Sequence, residues 1–169
     1  MKPLIKEING TSPKFGKDCY LSENATIIGE VICGDKCSFW FNSVVRGDVH
    51  YIEMGNEVNI QDGAIIHCTY KKSPTNIGNQ VTIGHNAIVH GCTIKDRVLI
   101  GMGAIVLDNC IVENNSIIAA GAVLTMGTHV KSGEIYAGVP AKKVKEGNFK
   151  KQLLNLANKY VEYASWYKD

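Results

Sequence analysis

Four prolines, two tryptophans and almost no net charge set the first limits on this chain of 169 residues. So few prolines leave extended segments free to pair along their length. Eighteen Lys and Arg against 16 Asp and Glu give a formal charge of +2, too small to point to a nucleic-acid or membrane partner. No apolar run approaches the roughly 20 residues of a bilayer-spanning helix. The opening Met1-Lys-Pro-Leu-Ile-Lys-Glu-Ile8 lacks the apolar core of a signal peptide. None of the six cysteines, Cys19, Cys33, Cys37, Cys68, Cys92 and Cys110, stands in a C-x-x-C pair. They read as reduced structural thiols of a cytoplasmic protein, with Cys37 and Cys110 as compact fillers.

What is present is a period. Large aliphatic residues stand at Ile77, Ile83, Val89, Ile94, Ile100, Val106, Val112, Ile118 and Leu124, six apart except for the five from Val89 to Ile94. Four residues after each comes something compact: Val81, Ala87, Thr93, Val98, Ala104, Cys110, Ser116 and Ala122. This spacing fits neither the turn of an α-helix nor the alternation of a plain strand. It is a hexapeptide β-helix repeat. Each hexapeptide is a short strand and a corner, and three close a triangular coil. The aliphatic residue points inward, the compact one fills the wall, and coils stack at about 4.8 Å.

The expected fold is therefore all-β, a single domain over residues 1–169 with a parallel β-helix over about 10–145. Residues 1–26 lead in, with Asn9-Gly10 and Ser12-Pro13 as turns. Cys33, Phe39 and Val45 keep the step, with Cys37, Ser43 and Val49 at wall positions. Val45 to Met54 takes nine residues, which predicts a bulge at His50–Glu53; Ile66 to Ile77 takes eleven, which predicts a corner loop at Tyr70–Asn76. The repeats run out near Thr128, and Gly133–Ala141 leaves the stack. Leu153, Ala157, Tyr160, Val161, Ala164 and Tyr167 then form one stripe of a C-terminal α-helix over about 148–168. Its lysines, Lys150, Lys151, Lys159 and Lys168, read as a solvated face.

Counting corners places the histidines. Val45, Met54 and Ile60 make one coil, Ile66, Ile77 and Ile83 the next, and Val89 opens another. Arg46, His67 and His90 then share a column, with His67 and His90 one coil apart. Two imidazoles at that spacing can converge on one ion with bonds of about 2.0–2.1 Å. His85 and Asp62 share a second column around a corner, out of reach of that ion within one molecule. A neighbouring molecule could supply His85, and three such molecules close a ring. The same packing brings Asp62 to Arg46.

Three segments, Val45-Arg-Gly-Asp48, Asn59-Ile-Gln-Asp62 leading to His67, and Gly84-His-Asn-Ala-Ile-Val-His90, resemble the γ-class carbonic anhydrases. The resemblance covers about residues 10–145. It implies a left-handed β-helix, against the usual right-handed crossover preference, and a homotrimer with Zn2+, or sometimes Fe2+ or Co2+, at the subunit boundaries. It further implies His67 and His90 as metal ligands from one subunit and His85 from its neighbour, with Arg46 paired to Asp62 between them. Gln61 would hydrogen-bond the metal-bound water or hydroxide, with Asn59 and Asp48 as lesser site residues. The implied reaction is the lyase-type hydration of carbon dioxide to bicarbonate. Three neutral imidazoles leave a fourth metal position open and bring bound water to a pKa of about 7.

Two departures from the family pattern predict weak turnover. The loop Tyr70–Asn76 carries no carboxylate where the archetype has a proton-shuttling glutamate, and Val49 stands where the archetype has another. Glu53 and Glu57 are the nearest glutamates in sequence. Two other readings compete. Hexapeptide trimers also include acyltransferases that use coenzyme A and a histidine base, and Tyr136-Ala-Gly-Val-Pro-Ala141 resembles those. A metal-binding trimer without significant catalysis is the other.

Overall fold

The computed structural model describes residues 2–168. The six-residue period becomes a stack of triangular coils, built mostly from strands of two or three residues. Three parallel ladders form its faces. Ile27, Val45, Ile66, Val89, Val106 and Leu124 stack on the first. Cys33, Met54, Ile77, Ile94, Val112 and Val130 stack on the second. Leu21, Phe39, Ile60, Ile83, Ile100, Ile118 and Tyr136 stack on the third. The strands Thr26–Cys33 and Val44–Met54 run unbroken round a corner, so the first two faces join in one 11-stranded sheet. The third face is a separate sheet of eight strands.

Burial follows the pattern. Ile83, Val89, Ile100, Val106, Val112, Ile118 and Leu124 are fully enclosed, as are Ala87, Ala104, Cys110, Ser116 and Ala122 at the walls. Coil stacking covers the apolar face that no single hexapeptide could hide. Truncating one such corner, Ile100→Ala, should lower stability by about 2–5 kcal/mol. Guanidinium unfolding reads this directly, and a loss under about 1 kcal/mol would mean the coil interior is loosely packed.

The departures have local causes. Cys92, not Thr93, fills the wall before Ile94. The inward residue stands two places before each aliphatic corner, and the five-residue step moves it forward by one. Val49 is likewise not a wall residue. The bulge falls at Asp48–Tyr51, slightly earlier than expected, because register passes from Gly29↔Gly47 directly to Val31↔Ile52; Ile52 is the residue enclosed. The corner loop of residues 69–74 is closed by a bridge between Thr69 and Ser73.

The stack does not end at Thr128. His129–Val130 pairs with Ile111–Val112, and Glu134–Ala137 continues the third ladder. The strand Lys142–Glu146 then turns back antiparallel along Glu134–Ala137. At the other end, Leu4–Lys6 pairs with Thr26–Ile28, so the lead-in segment already belongs to the sheet.

The helix Lys150–Ser165 packs on the third face, burying Leu153, Ala157 and Ala164. Tyr160 and Val161 are half-buried, while Tyr167 lies beyond the helix and is half-exposed. Tyr167 still packs its ring 5.5 Å from both Tyr20 and Trp40, measured between centroids. Among the described residues no helix is long and apolar enough to cross a membrane.

Candidate metal centre

The strands Ile65–His67 and Ile88–His90 pair in register, with His90 directly opposite His67. Their rings turn toward each other, and His67 Nδ1 lies 3.2 Å from His90 Nε2. Two nitrogens bound tetrahedrally at about 2.0–2.1 Å sit about 3.3 Å apart, so the pair is spaced as one edge of a metal tetrahedron.

The remaining ring nitrogens are held by carboxylates. His67 Nε2 lies 3.1 Å from Asp48 Oδ1, and His90 Nδ1 lies 2.5 Å from Asp108 Oδ1. Such outer carboxylates fix a ligating imidazole's tautomer and raise its basicity. Arg46 Nη1 donates to the other Asp48 oxygen at 2.6 Å, and Thr69 Oγ1 donates to the other Asp108 oxygen. Two glycines make room for this. A Cβ at Gly47 would lie 2.3 Å from the Glu30 carbonyl oxygen, and one at Gly91 would lie 2.5 Å from Asp108 Oδ1, the atom that meets His90.

Charge is balanced locally. Burial pushes the Asp48 carboxyl up, but the hydrogen bonds from Arg46 and then His67 hold it below the usual carboxylate range. Asp108 is likewise held low, with Thr69 and His90 outweighing burial. Burial, with the charges of Arg46 and His90, lowers the pKa of His67 against the pull of Asp48, which favours the neutral ring.

His85 stays apart within the chain. It shares a column with Asp62 and Met102 at the corner between the third and first faces, linked by backbone bonds from Asn86 to Asp62 and from Gly103 to His85. Its Nδ1 lies 2.8 Å from Asp62 Oδ2, so it too has a carboxylate partner and keeps Nε2 free. Between the His85 column and the His67/His90 column runs an outward row of β-branched residues: Val44, Ile65, Ile88, Ile105 and Val123. None of the row is buried, and Ile65 is 41% exposed.

Arg46 and Asp62 are not partners within the chain; each has a local one. Gln61 and Asn59 are buried side by side, Gln61 Nε2 donating to Asn59 Oδ1 at 3.1 Å and Asn59 Nδ2 donating to Thr82 Oγ1 at 2.9 Å. Glu53 and Glu57, close in sequence, are remote from the histidine pair. Glu53 sits on the second face opposite Asn76, and Glu57 accepts from Gln80 Nε2 at 2.9 Å. The cleft beside Asp48 is lined instead by Glu30, His50, Tyr70 and Lys71. Sequence reasoning missed Asp108 and Thr69. The available signal was an acid two places after Val106, on the coil next to His90, facing a residue without a side chain.

Comparison with known proteins points the same way. The repeat family described as "Bacterial transferase hexapeptide (six repeats)" matches residues 91–125. The mitochondrial γ carbonic anhydrase 2 of Arabidopsis thaliana is 41% identical over 136 residues, covering 78% of this chain and 49% of that protein. A carbonic anhydrase of Geobacillus kaustophilus is 35% identical over 170 residues, covering 98% of this chain and 91% of that one. The chain belongs to the γ-carbonic anhydrase-like family of hexapeptide-repeat proteins. It spans about half the length of the first curated relatives it matches. A solved structure shares the architecture closely. The crystal structure of a hexapeptide transferase family protein from Anaplasma phagocytophilum superposes with a TM-score of 0.93 at 39% identity, over 99% of this chain and 100% of that one.

Proposed function

We propose that the protein is a homotrimeric, metal-dependent carbonic anhydrase that hydrates carbon dioxide to bicarbonate. The observation that carries this reading is the His67–His90 pair, 3.2 Å apart with each remaining nitrogen held by its own carboxylate. His85, oriented in the same manner by Asp62, is the third ligand, supplied by the neighbouring subunit. The outward row from Val44 to Val123 is the surface that meets that neighbour, because an apolar ridge between two half-sites is stabilised by being covered. Across the same boundary Asp62, which uses one oxygen for His85, offers the other to Arg46.

Three neutral imidazoles with an open fourth position suit Zn2+, and Fe2+ or Co2+ accept the same set. Bound there, the ion would act as a Lewis acid and bring the pKa of water down to about 7. The chain's own groups do the rest. Asp48, Asp108 and Asp62 fix the three tautomers. Asn59 orients Gln61, whose carbonyl oxygen is left to accept a hydrogen bond from the reacting water. Carbon dioxide, small and without charge, needs little recognition beyond this.

The test joins sedimentation, elemental analysis and a carbon dioxide hydration assay on protein purified without added metal. The expected result is a trimer that hydrates carbon dioxide and, in a Cys19→Ser background, loses both metal and activity in His67→Ala. A monomer whose histidines still hold stoichiometric metal sinks the shared site. A metal-loaded trimer without hydration activity supports the binding-only reading. Metal-independent acyl transfer from coenzyme A supports the transferase.

A further inference from the structure

Where the second and third faces meet, three successive coils point an aliphatic pair inward: Met54 with Val58, Ile77 with Val81, and Ile94 with Val98. In the two coils before them, thiols take three of the four places and Phe15 the fourth. Cys33 stands over Met54, Cys37 over Val58, and Cys19 over Cys37 through the register of Tyr20 with Ser38. The three Sγ atoms all lie within 4.8 Å of one another, with Cys19 and Cys33 at 3.9 Å. Among the described residues no other three ligating side chains of one chain gather this closely. Cysteine as a wall filler accounts for single residues such as Cys92 or Cys110. It does not account for three sulfurs replacing aliphatics at one corner.

We propose that Cys19, Cys33 and Cys37 form a three-thiolate site for a soft d10 ion, Zn2+ or Cu+. Thiolates bound at about 2.3 Å around one ion lie about 3.8–4.0 Å apart, so the widest separation must close by no more than about 1 Å. Cys33 and Cys37 are buried, and half-exposed Cys19 gives the ion its way in. Metal-free, Cys37 donates to the Gly55 carbonyl at 3.2 Å and Cys19 to the Gly34 carbonyl at 3.4 Å. Binding breaks three S–H bonds, forms three sulfur–metal bonds and releases three protons to solvent. Three thiolates leave the site anionic, and a cation stands ready to offset that. Lys168 is that cation, its Nζ reaching in beside Cys19 to the Asp18 carbonyl at 2.6 Å. Thiolate ligands and a dry interior favour soft ions over Mg2+ or Ca2+.

The test uses the full chain with the histidine pair removed, His67→Ala with His90→Ala, so that metal at the proposed catalytic centre cannot contribute. Cd2+ serves as the spectroscopic probe. One equivalent per chain should give a thiolate-to-cadmium charge-transfer band and release close to three protons in weak buffer. Adding Cys19→Ser should weaken binding by more than about 100-fold, beyond the usual cost of losing an outer-sphere partner, whereas adding Cys92→Ser should change nothing. Competition against chelators selective for Zn2+ or for Cu+ then separates the two ions. With all cysteines in place, Zn2+ should also protect Cys19 from alkylation. A missing band, a band that survives Cys19→Ser, or a Cys19–Cys33 disulfide in protein isolated anaerobically would overturn the site.

Discussion

Mixed trimers of His67→Ala and His85→Ala subunits are expected to recover metal that neither homotrimer holds. In the first homotrimer every boundary lacks one of the paired histidines; in the second every boundary lacks the histidine from across it. A ring holding both kinds contains one boundary where an intact His67–His90 pair meets an intact His85. This follows from the geometry of one chain, in which His85 is held by Asp62 at 2.8 Å in a column apart from the pair. Each homotrimer should lose affinity by more than about 100-fold, since losing an outer-sphere partner alone costs about 10–100-fold. Working in a Cys19→Ser background keeps sulfur-bound metal out of the count. Mixed rings, verified by native mass spectrometry, that hold no metal would mean the three histidines do not share an ion.

The second large effect concerns the proton. Each hydration cycle must pass one proton to solvent, and a positioned acid–base group typically speeds such a transfer by 10²–10⁴-fold. The loop beside the centre offers Lys71 and Lys72 and no carboxylate. Hydration should therefore be slow at low buffer, with kcat rising as imidazole is added and kcat/KM nearly constant. Ser73→Glu is a poor way to install a carboxylate, because Ser73 is buried and donates to Asn109 Oδ1 at 3.1 Å. Tyr70 is 62% exposed and lines the cleft with Asp48, so Tyr70→Glu places the group in solvent beside the centre. It should raise kcat at low buffer by about tenfold or more. Fast rates indifferent to buffer, together with slowing in Glu30→Gln or His50→Ala, would show that the cleft already carries the proton.

The stacking of His67 on His90 is legible in the sequence because a six-residue period fixes register. One residue counted wrongly would have moved His90 out of the column. The same arithmetic placed His85 with Asp62. It failed where the step changes. The five residues from Val89 to Ile94 exchanged Thr93 for Cys92, and the bulge after Gly47 displaced Val49. Asp108 escaped because on the first face only the residue directly after each corner was followed, while Asp108 stands one place further and meets His90 across Gly91. Nearness along the chain could not place Glu53 and Glu57, because it says nothing about which side of the triangle a side chain faces.

The strand Lys142–Glu146 has a consequence for how far such a stack can grow. Parallel coils offer an open row of backbone donors and acceptors at each end, and another molecule's coil could continue the ladder indefinitely. Here the last rung of the third face is occupied by a strand of opposite direction, exposed along its whole length and carrying Lys142, Lys143 and Lys145. A further coil would meet antiparallel backbone out of register and a line of ammonium groups. On that face the solenoid is closed to fibre formation by its own chain, and association is left to its flanks.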